Sequence, residues 1–258
     1  MNAESSHPVM DLERYLNAQE LERFFTKLGT PDPRKLAEEV QYFSSKEAEK
    51  RDTIVQDYLG KAGISRIVDT VTAHLLAEPA LPSDAKILDV GAGTGFFTAK
   101  IAKKVSNKVP DVFFYAMDIT PAMLLVLKKK HKKITPFLGL AENIESSLKL
   151  ADELRVPKRF DAVFSTLMLH HSLEPEKVFQ SLKNVLKKGG KAVVVDMCEH
   201  PFEEFKIEMG DVHLGFKIEH VREMAEKHFK KVNVEKITKI VCECSGRAAE
   251  IFVATMQI

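Results

Sequence analysis

Apolar residues in the first eighty positions recur at helical spacing. Leu12, Tyr15, Leu16, Leu21, Phe24, Phe25 and Leu28 predict a helix over residues 8–28, which Gly29-Thr30-Pro31-Asp32-Pro33 stops. Leu36, Ala37, Val40, Phe43 and Ala48 predict a second over 33–49, with the charged stretch 46–52 as its solvated continuation. Residues 64–76 supply a third amphipathic segment. No alternating pattern precedes Ala85, so residues 1–80 are expected to form a helical cap and residues 81–258 an α/β domain.

From Lys86 onward, short apolar runs alternate with helical ones. Residues 86–90, 112–117, 135–138, 160–165 and 191–196 read as strands, and helices are expected over 96–105, 122–132, 144–154, 174–186 and 218–229. Thr120 and Pro121 make a good N-cap and first helical residue, and Gly189-Gly190 is expected to cap the helix before the fifth strand. Residues 197–216 are irregular and read as a lid. Residues 232–244 and 248–256, joined at Ser245-Gly246-Arg247, read as a terminal hairpin.

The chemistry is expected at the first strand's end, where Gly91, Gly93 and Gly95 permit a sharp turn and close approach of a ligand. Nicotinamide and flavin enzymes seat a pyrophosphate on a similar turn. Asp89 argues against that here, because its carboxylate would repel an anion while accepting hydrogen bonds within a cofactor loop. Asp118 ends the second strand, where a carboxylate can accept from both hydroxyls of a ribose; this reads as a nucleoside without saying which one, and a turn-capping role is the alternative.

The run Ile87-Leu88-Asp89-Val90-Gly91-Ala92-Gly93-Thr94-Gly95 resembles the first motif of class I S-adenosylmethionine (SAM)-dependent methyltransferases. Leu169-His170-His171 after the fourth strand resembles the corresponding loop of ubiquinone- and menaquinone-type enzymes, and residues 198–216 resemble the lid of related small-molecule methyltransferases. The resemblance implies a Rossmann-like, seven-stranded, mostly parallel sheet with an antiparallel C-terminal hairpin strand, helices on both faces and an N-terminal helical cap. It implies SAM as cofactor, S-adenosylhomocysteine as product and a small-molecule methyl acceptor. The cofactor residues it points to are Asp89, Gly91, Ala92, Gly93, Gly95, Asp118, Ile119, Ala141, Glu142, Ser165 and Thr166. Leu140 stands where the family usually has an acidic residue facing the adenine. His171, His170, Asp196 and His200 are the candidate bases, each with pocket shaping as its alternative, and Tyr42, Phe43 and Tyr58 are expected to close the cofactor site. A nicotinamide oxidoreductase and a non-catalytic SAM-binding protein are the competing readings.

At 258 residues with 45% hydrophobic and 29% charged, the chain can bury a sizeable core. With 38 basic against 37 acidic residues, no global field favours nucleic acid or an anionic membrane, and the lysines of residues 128–133 read as a solvated helix end. No run is long enough for membrane insertion, and Cys198, Cys242 and Cys244 lack metal-ligand or disulfide-framework spacing, so no metal is expected and a cytoplasmic location is. Oligomeric state stays open between monomer and homodimer.

Overall fold

Seven strands form one sheet in the computed structural model, which describes residues 10–42 and 45–258. Strands β1 (Lys86–Val90), β2 (Phe113–Asp118), β3 (Ile134–Leu138), β4 (Phe160–Thr166) and β5 (Leu186–Met197) run parallel. β7 (Arg247–Gln257) lies antiparallel to β5, and β6 (Lys231–Cys244) antiparallel to β7. The order is β3-β2-β1-β4-β5-β7-β6, so successive connections leave β1 in opposite directions. The crevice at the carboxyl ends of β1 and β4 is where open α/β sheets hold ligands.

Nine α-helices accompany the sheet among the described residues: α1 (Ala18–Leu28), α2 (Pro33–Tyr42), α3 (Ser45–Leu76), α4 (Phe96–Ser106), α5 (Pro121–Lys130), α6 (Ile144–Leu150), α7 (Pro175–Asn184), α8 (Glu204–Met209) and α9 (Ile218–Glu226). Side chains alternate across the strands with period two, which sorts the core into two layers. Leu88, Val90, Met117 and Val163 face a cluster that takes in Leu21, Phe24, Phe25 and Val40 of α1 and α2 together with Val178 and Phe179 of α7. Ile87, Ala116 and Ala162 face the other, with Ile64, Ile67, Val71 and Leu75 of α3 and Phe97, Ile101 and Val105 of α4. The first eighty residues are thus divided between the two faces.

Several predicted elements end differently. The helix expected over 8–28 falls partly outside the described residues, and within them it is a short 3-10 turn, Glu13–Leu16, followed by α1. Asn17 separates the two: it is extended, and its side-chain oxygen accepts from the N–H groups of Gln19 and Glu20, which makes it an N-cap. The segment expected over 33–49 stops at Tyr42, and α3 runs from Ser45 through the predicted 64–76 helix. The helix expected over 144–154 is α6 plus a 3-10 turn, Asp152–Leu154. Gly189-Gly190 does not cap α7, which ends at Asn184; the pair lies in a bulge of β5, where the register on β4 jumps from Phe160↔Leu186 to Ala162↔Lys191. Lys187 pins that bulge to Asp161 at 2.8 Å. The lid contains α8 and closes at its base through a bridge between Cys198 and Phe216.

Two features position the site. Asp89 is fully buried on β1, where its Oδ2 accepts from the Thr98 hydroxyl of α4 at 2.6 Å while Oδ1 has no partner. That bond clamps the strand to the helix on either side of the glycine turn. Gly60 breaks α3 with φ 61 and ψ 169, a conformation essentially reserved for glycine. The break lets the C-terminal half lie on the sheet while the N-terminal half crosses above its carboxyl edge. Among the described residues, no helix is long and apolar enough to cross a membrane.

Burial pushes the Asp89 carboxyl up to about 7, opposed by the Thr98 hydroxyl, which favours the charged form, and aided by the nearby Asp118. Since this value lies above that of an exposed aspartate, ionising Asp89 works against folding as pH rises towards 7. Thr98→Val should destabilise the protein by ~1–3 kcal/mol, more at pH 8 than at pH 5, because the lost donor serves the ionised form best. Urea denaturation at the two pH values checks this, and an equal loss at both would contradict it. Gly60→Ala should cost ~1–3 kcal/mol through backbone strain, since nothing lies within 4 Å of the added carbon; an unchanged denaturation midpoint would show that α3 needs no break.

Candidate functional site

The glycine turn is held by the end of the neighbouring strand. The N–H groups of Gly91 and Ala92 both donate to the carbonyl of Met117, at 2.8 and 3.0 Å, and Gly93 N–H donates to Asp118 Oδ2 at 2.7 Å. The other Asp118 oxygen accepts from Thr120 N–H at 2.8 Å. Each oxygen keeps a lone pair beyond these bonds. Burial pushes this carboxyl up, against the two backbone donors and the charge of Arg51, all of which favour ionisation. The three glycines differ in what surrounds them. A side chain at Gly91 would collide with Met168, and one at Gly95 with Leu127, whereas one at Gly93 would enter open space. The turn is packed on its flanks and open at its centre.

The N-terminal half of α3 lies against this turn. Thr94 donates its hydroxyl to Asp52, which also pairs with Lys130 at 2.8 Å, and Ala48 packs on Ala122 and Met123 of α5. Of the residues expected to close the site, Phe43 and the Tyr42 side chain lie outside the described residues, and Tyr58 packs among the side chains of the α3–α4 layer. Arg51 and Asp52 do the closing. Sequence reasoning missed both, because the charged run 46–52 reads as a solvated face; Glu47, Glu49 and Lys50 are exposed as expected, while Arg51 and Asp52 are half-buried.

The remaining predicted cofactor residues line the same edge. Ile119 and Ala141 are partly buried. Glu142 accepts from the Ser172 hydroxyl at 2.6 Å, and Asn143 caps α6 while donating to the Leu28 carbonyl at 3.0 Å, which ties α1 to this edge. Ser165 donates to the Val90 carbonyl at 2.7 Å, joining β4 to β1, and Thr166 is buried beside it. Asp89, by contrast, faces α4 through Thr98 and supports the turn from behind.

Beyond Thr166, Leu167 takes a left-handed conformation with φ 55, which throws the chain into a short 3-10 turn, Leu169–His171. His170 is buried between two carboxylates: its Nδ1 lies 2.6 Å from Asp196 of β5, and its Nε2 lies 3.5 Å from Asp211 of the lid. Burial opposes its charge, yet the two carboxylates outweigh burial and raise its pKa. Asp196 also accepts from its own chain at Met197 N–H, 2.7 Å. His170 and Asp196 are thereby engaged with each other rather than free to take a proton from a ligand. His171 differs. Burial and the neighbouring His170 push its pKa well below the usual value, so it is neutral at pH 7. Its Nδ1 faces the Gly210 carbonyl at 3.3 Å, and since a carbonyl only accepts, the proton sits on Nδ1 and Nε2 is unprotonated. His200 stacks on Phe202 and leans at a tilt against Phe205, and burial lowers its pKa.

Asp211 and His213 were not singled out from the sequence. The lid's backbone at Val212 and His213 donates to the His170 carbonyl, at 3.1 and 2.9 Å, and His213 Nε2 donates to the Ser172 carbonyl at 2.9 Å. Asp211 is buried, and burial pushes its carboxyl up to about 6 although His170 favours the charged form. Both its oxygens, like His170 Nε2, are buried without a hydrogen-bond partner. A chain segment read only as lid therefore brings a carboxylate to the histidine pair.

Comparison with known proteins gives the family and the fold. The biotin biosynthesis bifunctional protein BioHC of Cellvibrio japonicus is 29% identical over 150 residues, covering 58% of this chain and 26% of that protein. The ubiquinone/menaquinone biosynthesis C-methyltransferase UbiE of Wigglesworthia glossinidia brevipalpis is 32% identical over 124 residues, covering 48% of this chain and 47% of that protein. The chain thus spans less than half the length of either relative. Among solved structures, Haemonchus contortus phosphoethanolamine N-methyltransferase 2 in complex with S-adenosyl-L-methionine superposes with a TM-score of 0.53 at 18% identity, over 73% of this chain and 52% of that one. It shares the fold. A family described as "Methyltransferase domain" matches residues 81–244, from just before β1 to the end of β6. With the glycine turn and the Asp118 anchor inside that span, which takes in more than half of the sequence, the chain belongs to the methyltransferase domain family.

Proposed function

We propose that this protein transfers a methyl group from SAM to a small-molecule acceptor, releasing S-adenosylhomocysteine. The observation that carries the reading is the junction of Gly93 and Asp118: a carboxylate fixed by two backbone N–H groups, with lone pairs to spare, beside a glycine whose missing side chain leaves open space. That cradle fits the ribose of a nucleoside cofactor. Gly91, Ala92 and Gly95 shape the turn, Ile119, Ala141 and Glu142 flank the adenine, and Ser165 and Thr166 form the wall between β1 and β4. Asp89 serves the cofactor indirectly, by holding the turn through Thr98. Bound there, SAM supplies an activated methyl on a sulfonium, open to in-line displacement.

Holding donor and acceptor in near-attack geometry and excluding water can supply ~7–11 kcal/mol of barrier lowering. α3 and the lid are suited to that work, and they share one apolar layer of the sheet. The acceptor would approach from the side of His171, His200 and Asp211. His170 and Asp196 act as positioning residues that fix the turn after β4. The relatives support a small acceptor, since the UbiE protein is named a C-methyltransferase of ubiquinone/menaquinone biosynthesis and the Haemonchus enzyme a phosphoethanolamine N-methyltransferase. Three buried free thiols, Cys198, Cys242 and Cys244, support a reducing location, the cytoplasm.

Isothermal calorimetry against SAM, S-adenosylhomocysteine and NADH tests the reading directly. The first two should bind and NADH should not; NADH binding alone would overturn the assignment, and SAM binding with no turnover across acceptor pools would reduce it to a SAM-binding protein. Asp118→Ala should weaken SAM binding by ~1.5–3 kcal/mol through loss of charge-assisted hydrogen bonds. Gly93→Val should abolish it by filling the cradle. Both variants need to retain the thermal transition of the parent, and unchanged affinity in either would remove that residue from the site.

A further inference from the structure

His170, His171 and Asp211 form a group whose unpartnered buried atoms the methyl-transfer reading leaves unexplained. A ring nitrogen of each histidine and a carboxylate oxygen of Asp211 lie within 4.8 Å of one another. His170 Nε2 and both Asp211 oxygens are buried and unpartnered, although His170 Nε2 and Asp211 Oδ1 stand only 3.5 Å apart. That spacing is long for a charge-assisted hydrogen bond, which closes to ~2.7–2.9 Å. It is close to the ~3.3 Å that separates two ligand atoms on a tetrahedral ion with bonds of ~2.0–2.1 Å. The other nitrogen of His170 is held by Asp196 at 2.6 Å. A histidine whose far nitrogen donates to a carboxylate is the usual outer support of a metal ligand, because it fixes the tautomer and raises the basicity of the nitrogen facing the ion. The Gly210 carbonyl holds the second histidine in the same manner, at His171 Nδ1.

We infer that His170, His171 and Asp211 bind a divalent zinc ion at the acceptor side of the site. Two imidazoles and one carboxylate are a donor set suited to zinc, and three protein ligands leave a position for an outside group. The surrounding charge fixes what that group is. Asp196 and Asp211 bring two negative charges and Arg51 one positive, so a divalent ion leaves a net positive charge that an anionic acceptor atom neutralises. The acceptor class is therefore a thiol or hydroxyl compound. Its S–H or O–H bond would break with the proton leaving to water, and its lone pair would then attack the methyl carbon as the carbon–sulfonium bond breaks towards sulfur. This acceptor assignment rests on the methyl-transfer reading; the metal site does not.

Chelator-treated protein titrated with zinc against a chromogenic indicator should bind one ion per chain at submicromolar concentration. Cobalt(II) should give visible ligand-field bands without the thiolate charge-transfer absorption that any of the three cysteines would add. Asp211→Asn and His171→Ala should each weaken zinc binding at least tenfold, and Asp196→Asn by ~10–100-fold through His170. Absence of zinc binding, thiolate absorption in the cobalt form, or folded Asp211→Asn protein with parental affinity would each overturn the inference and leave the cluster as a buried ion pair. Should Asp211→Asn not fold, the cobalt spectrum of the parent decides alone. SAM calorimetry on the same samples separates the two readings: SAM binding without zinc binding defeats only the metal site, and zinc binding without SAM binding defeats only the methyl transfer.

Discussion

The Asp118 carboxylate is the point on which this architecture turns. Two strand ends must come together for a glycine turn to stand open, and Asp118 joins them by accepting from Gly93 on one side and from Thr120, at the head of α5, on the other. Burial alone would favour a neutral acid there. The backbone donors of Gly93 and Thr120 and the charge of Arg51 oppose burial there, and they aim both oxygens while the carboxyl stays above its ordinary value. Asp89 complements it from the end of β1, clamping α4 through Thr98. One carboxylate holds the turn at Gly93 and the other holds the helix that follows it.

Closure of the crevice depends on how the N-terminal segment is divided. Its first two helices complete one hydrophobic layer and the C-terminal half of α3 completes the other. The stretch between them is left spanning the sheet's carboxyl edge, with Asp52 bridging Thr94 and Lys130. A cap anchored in both layers moves only at the expense of buried apolar contacts on either side of the sheet, which makes the span a firm wall rather than a loose flap.

The sheet was legible because its signals are local: apolar runs of strand length, glycines at the first turn, acidic residues at strand ends and a reversed hairpin. The errors fell where the deciding contact is distant. Gly189 and Gly190 carry the composition of a helix cap, but a bulge is needed to bring β5 into register with β4, and that demand comes from the partner strand. The run 46–52 has the composition of a solvated face, and Glu47, Glu49 and Lys50 are indeed exposed; Asp52 reaches Thr94 because Gly60 breaks the helix, where the backbone conformation rather than the side chain is the signal. His170 and His171 were recognised as a pair without their difference, since Asp196 is 26 residues from His170 in sequence and Gly210 39 residues from His171. Tautomer and charge belong to those partners.

The cluster around His170 is difficult to account for by stability alone. Taking an imidazole and two carboxylates out of water costs several kcal/mol per ion, and apolar side chains of similar volume often serve a core as well or better. The apolar residues around β4 and β5 show that such a solution was open to this chain. A charged group in that position is instead useful for orientation: the His170 carbonyl receives the lid at Val212 and His213 while its ring faces the lid's Asp211. The same residue thus fixes the turn after β4 against β5 and the lid against the turn. Whatever enters from the side of His171 meets a wall whose polar atoms are already aimed, which is the condition for catalysis by positioning.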